Sequence, residues 1–168
     1  MSITMHSASA PVFQRVLGNM IVWLDKAEAY AQARKFDPNN YLGLRLAPDM
    51  LPLSRQVQIA SDAAKGAMAR LAGQELPKWD DNEASLEDLR ARIRKTMDYV
   101  ASFTPAQIDG TEDRAITIPM RNGDARHFTG EVFLKHYALA NLYFHATTLY
   151  ALLRHAGVEL GKADFLGK

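Results

Sequence analysis

The stretch TGEVFLKHYALANLYFHATTLYALLRHAG, residues 129 to 157, decides the fold. Between Lys135 and Arg154 it contains no Asp, Glu, Lys or Arg, yet it carries His136, Asn141 and His145. An α-helix turns roughly 100° per residue, so Tyr137, Asn141, His145 and Thr148 fall in one polar row on an otherwise apolar rod. Buried polar groups cost about 1–3 kcal/mol each unless they find partners, so the row has a purpose. It is a binding site, a metal site short of ligands, or an internal hydrogen-bond network. Thr129 is placed to cap this helix, Arg154 and His155 put positive charge in its last turn, and Gly157 follows as the terminator. The run from Tyr137 to Leu153 is barely long enough to cross a hydrocarbon core, and Asn141, His145, Thr147 and Thr148 argue against a membrane. A helix apolar on nearly all sides is either the central helix of a bundle or one covered on one side by its own domain and on the other by a second subunit; the second account is preferred and predicts a homodimer through the first and last helices.

Upstream, three more segments show helical spacing. Ser9 and Pro11 open a first helix with Phe13, Val16, Leu17, Met20, Leu24, Ala27 and Ala31 inward, ending near Lys35. Asp49 is the expected cap of a second, with Pro52 in its first turn. Its stripe is Met50, Leu53, Val57, Ala60, Ala64, Met68 and Leu71, stopped by Gly73 and Pro77. Ser85 and Asp88 form an approximate capping box for a third, with Leu86, Leu89, Ile93, Met97 and Val100 inward. Ile116, Ile118 and Met120 then alternate, and Asn122-Gly123 is a hairpin signal. The expectation is an all-α four-helix bundle with a small β-hairpin between helices three and four, as a single domain over residues 1–168.

Composition narrows the function classes. The 168 residues are 48% apolar and 23% charged, enough for one domain with a real core. The 20 Lys and Arg nearly cancel the 19 Asp and Glu, and no basic run exceeds two residues, which disfavours nucleic acid and anionic membranes as partners. With no cysteine there is no disulfide, thiolate nucleophile or Cys-bound metal, which fits a reducing compartment. The start, MSITMHSASAPVFQR, lacks the pattern of a secretory signal, so a cytoplasmic protein beginning near Met1 is expected.

Four phrases carry a resemblance: RLAPDM at 45–50, RQVQIASD at 55–62, NLYFHATT at 141–148 and GKADFLG at 161–167. They resemble those of a bacterial family of domains of unknown function, over essentially the whole chain. That family is similar in architecture to the DinB/YfiT-like superfamily. The resemblance implies an up-down-down-up bundle, often dimeric. In catalytic members it also implies a divalent metal held by one histidine of the second helix and two histidines, four residues apart, on the last. Here His145 matches the second ligand of the last helix, but the position four before it is Asn141, and helix two has no histidine. Gln58, with Asp62 one turn on, stands where the helix-two ligand is expected. A carboxamide oxygen is a poor ligand for zinc or nickel, so no tightly bound cofactor is expected, and any zinc, nickel or iron would depend on His145.

The other histidines do not rescue the site. His136 lies on the opposite side of the helix from His145, His155 lies turns away, His127 belongs to the hairpin, and His6 is in a start expected to be unstructured. Ser54 and Ser61 lack a Gly-x-Ser-x-Gly elbow. The aromatic residues Tyr137, Tyr143, Phe144 and Tyr150 read as core and dimer packing, and Trp23 and Trp79 as packing. Two readings remain. The first is a homodimeric small-ligand-binding or non-catalytic protein whose degenerate metal pocket is a polar cavity of Gln58, Asp62, Asn141 and His145. The second is a metal-dependent small-molecule hydrolase or thiol transferase of the DinB/YfiT-like type. Whether the chain is an enzyme stays open at this stage.

Overall fold

The apolar stripes of the long helices close on one another in a computed structural model that describes residues 2–120 and 122–167. The long helices are α1 (Ala10–Arg34), α2 (Leu53–Ala72), α3 (Leu86–Ala101) and α6 (Leu139–His155). They form an up-down-down-up bundle in which α2 packs between α3 and α6, and α1 closes the other side against the same two helices. Phe13, Leu17, Met20 and Leu24 of α1, Val57 and Met68 of α2, Leu89 and Ile93 of α3, and Leu142 and Leu149 of α6 are completely buried. The periodic positions read from the sequence therefore make the core, except that Met50 is half-buried in the turn before α2 and Met97 is half-buried on α3. Because α2 and α3 run in the same direction, the extended linker between Ala72 and Leu86 has to travel back along the bundle.

Shorter elements follow α3: α4 (Pro105–Ile108), then a hairpin of β1 (Ile116–Pro119) and β2 (Ala125–Phe128), paired antiparallel with Ile116 opposite Phe128. Gly123 takes φ +90°, and its N–H donates to the Met120 carbonyl, so the Asn-Gly signal marks the turn as expected. Three helix ends share one device. The amides of Lys35, Gly73 and Gly157 bond back to Gln32, Arg70 and Arg154, and those of Phe36, Gln74 and Val158 reach Ala31, Ala69 and Leu153. This double closure needs a left-handed residue at the turn. Gly73 and Gly157 supply it without strain, whereas Lys35 does so with φ +59°.

Several expectations are corrected. Helix α2 starts at Leu53 with Pro52 at its cap position, and Asp49 lies in the preceding turn, where the Met50 N–H bonds to the Ala47 carbonyl. Pro52 has no N–H to give, so the helix begins immediately after it. Ser9 stands at the start of α1, but its hydroxyl donates backward to the Met5 carbonyl at 2.7 Å and caps nothing. The segment around His6 is held in place, since the His6 N–H donates to the Asp109 carboxylate at 2.8 Å. The last helix is not uniform either. It runs as α5 (Gly130–Phe133), a π turn (Leu134–Ala138) and α6. The wider turn breaks the helical phase. Tyr137 drops out of the polar row and packs its ring 5.3 Å from Phe128 and 5.9 Å from Phe133. The chain ends in α7 (Lys162–Leu166), which seats on α1.

Candidate functional site

His145 lies where α6 meets α2, and only 8% of it reaches solvent. Its Nδ1 is 2.7 Å from Oε1 of Gln56, a buried residue of the first turn of α2. The Gln56 amide is held in turn, since its Nε2 donates to the Leu51 carbonyl at 2.8 Å. Burial pushes the imidazole pKa below its ordinary value, so His145 is neutral at pH 7. Phe144 stands edge-on to it, ring centres 5.1 Å apart and planes at 88°, and remains largely exposed. Asn141 is half-buried one turn earlier on α6. Thr148 uses its hydroxyl locally, donating to the Phe144 carbonyl.

Gln58 and Asp62 have other partners. Gln58 donates to Glu83 at 2.6 Å and accepts from Arg55 at 2.6 Å, and Asp62 pairs with Lys65 at 2.7 Å and Arg92 at 3.1 Å. The hub of this cluster is the buried Arg92 of α3, which also holds Glu83 at 2.8 Å, Asp81 at 3.0 Å and the Asp80 carbonyl at 3.0 Å. Burial alone would raise the Glu83 carboxyl, but hydrogen bonds from Arg92 and Gln58 outweigh it and hold the pKa low. Trp79 sits between two ammonium groups, Lys65 at 4.5 Å and Lys95 at 4.6 Å from its ring centre. Around it opens a cavity of about 440 Å³, lined by Trp79, Glu83, Arg92 and Lys95 among others. The cluster pins the linker to α2 and α3.

The structure thus places Asn141 and His145 together on α6, gives His145 the partner Gln56, and assigns Gln58 and Asp62 to the linker. Gln56 was missed from sequence although a signal existed: it follows Leu53 by three residues and precedes Ala60 by four, on the buried stripe. Arg92 was missed for the same reason, standing beside Ile93 on the inward side of α3. The three-histidine metal site of catalytic DinB/YfiT-like proteins does not fit this chain. Among the described residues no group of three His, Cys, Asp or Glu side chains gathers in a way that could hold a metal ion. His136 and His155 are exposed, and His127 pairs with Thr117 at 3.1 Å on the hairpin. At the point where α2 meets His145 the chain offers a carboxamide already committed to the imidazole.

A crystal structure of a DinB family member from Shewanella denitrificans matches with a TM-score of 0.88 and 42% sequence identity, covering 97% of this chain and 92% of that one. No curated protein matches. The model of DUF1993, a domain of unknown function, matches residues 5–166. With the helical bundle, the hairpin before its last helix and a match over nearly the whole chain, this protein belongs to the DUF1993 family of DinB-like proteins.

Proposed function

We propose that this chain is a homodimeric, non-catalytic protein that binds a small molecule at Gln56, Asn141 and His145. One observation carries the reading: Gln56 occupies Nδ1 of His145, while Nε2 has no hydrogen-bond partner among the described residues. Nε2 is not among the fully buried polar atoms that lack a partner, so it reaches solvent, and a free polar atom at the edge of a fixed pair is a contact point. Gln58 and Asp62 take a supporting role, tethering the linker beside α2. Support for a second copy comes from exposed apolar residues on three adjoining elements, Val22 of α1, Tyr143 of α6 and Leu166 of α7. No helix among the described residues is long and apolar enough to cross a membrane, and the lack of cysteine suits the cytoplasm as its setting.

The test is metal analysis of protein purified without a histidine tag. The expected result is no stoichiometric zinc, nickel or iron, because one imidazole and one carboxamide make too few donors. Stoichiometric metal that disappears in His145→Ala would replace this reading with a metal-dependent hydrolase or transferase.

A further inference from the structure

The hydrogen bonds around His145 fix more than its position. The Leu51 carbonyl can only accept, so the Gln56 nitrogen must face it and the Gln56 oxygen must face the imidazole. That oxygen can only accept as well, so Nδ1 of His145 carries the hydrogen. A neutral imidazole has one N–H, which leaves Nε2 with its lone pair exposed to whatever approaches. Phe144 puts an apolar plate beside it, 57% exposed and perpendicular to the imidazole, with the half-buried Asn141 one turn earlier on α6. Among the described residues, α6 around His145 and the arginines near the start of α2 offer no free cation for an anionic ligand. Helix α6 has no charged residue between Lys135 and Arg154, Arg45 donates to the Met50 carbonyl, and Arg55 is engaged by Asp81 and Gln58.

We infer that the ligand class of this site is a neutral molecule with an O–H or N–H donor on an aromatic or apolar body, the donor meeting Nε2 of His145 and the body lying on Phe144. The inference rests on the reading that His145 is the binding point. A carboxylate ligand would present an acceptor to an acceptor, and a metal ion would find a single imidazole. Gln56 is the positioning residue that selects this tautomer.

Long-range proton–nitrogen spectra of the 15N-labelled full chain test it, with p-cresol, benzoate and zinc chloride as the added probes. The expected result is a protonated Nδ1 and an unprotonated Nε2. Addition of p-cresol then shifts Nε2 but not Nδ1, with an affinity about tenfold above that of benzoate, as one well-placed hydrogen bond gives. Phe144→Ala weakens p-cresol binding, and His145→Gln, which keeps an acceptor oxygen, retains more of it than His145→Leu. A protonated Nε2 overturns the inference. So does a response to benzoate or zinc without one to p-cresol, although His145 would remain the binding point. If none of the three probes moves either nitrogen, the binding-point reading falls together with the ligand class.

Discussion

At His145 and Gln56 the two side chains depend on each other. Gln56→Leu leaves the Nδ1 hydrogen of a buried imidazole without an acceptor, and His145→Leu leaves the Gln56 oxygen without a donor. Each is expected to lose about 1–3 kcal/mol in chemical denaturation, and the double variant less than the sum, with a coupling of about 1 kcal/mol. Additive losses would show that the bond contributes nothing. The same imidazole makes stability depend on pH. Its folded pKa is depressed by burial, so as the pH falls the unfolded chain takes up the proton first. The contribution is therefore whole above the unfolded value of about 6.5 and declines below it until the folded group also titrates. Melting curves taken between about pH 7.5 and 5 should lose more stability in the wild type than in His145→Leu. His145 and Asn141 were legible because each is polar in an uncharged apolar helix. Gln56 was not found because α2 also carries Gln58, Ser61 and Asp62, and polarity alone does not say which of them faces α6.

Among the elements, the helix ends and the linker offer the sharpest tests. Lys35 closes α1 in the left-handed region, which costs an L-residue roughly 1–2 kcal/mol, against the roughly 0.5–1 kcal/mol of added chain entropy that glycine brings. Lys35→Gly is therefore expected to raise stability by up to about 1 kcal/mol, read as a higher melting temperature. A drop would mean that the lysine side chain contributes more than its backbone strain removes. Arg92→Met should do the reverse, removing the one cation shared by Asp62, Asp81 and Glu83 and costing about 3 kcal/mol. Proteolysis within residues 74–85 should then accelerate. Helix boundaries set by glycine, and the cap at Ser85, followed from sequence because backbone geometry dictates those residue types. The π turn did not, because its residues Leu134 to Ala138 suit an α-helix equally well. The π turn goes with the packing of Tyr137 on Phe128 of the hairpin, a contact remote from local propensity.

For the molecule as a whole, the expected assembly is a pair of chains, and light scattering should give twice 18.7 kDa at micromolar concentration. Val22→Asp with Leu166→Asp should yield the 18.7 kDa species with the helical signal intact, since both residues are exposed in the single chain. A wild-type mass of 18.7 kDa would remove the dimer. The seating of α7 has a consequence of another kind. Trp23 donates its indole N–H to the Asp164 carbonyl at 2.9 Å and stacks on Phe165 at 5.4 Å, while Lys26 holds the Asp164 carboxylate at 2.7 Å. Of the two tryptophans in the chain, this one sits under the tail and Trp79 sits in the linker between its two lysines. Trp79→Phe therefore leaves an intrinsic fluorophore that shifts to the red when the tail lifts, and Trp23→Phe leaves one whose emission follows the linker.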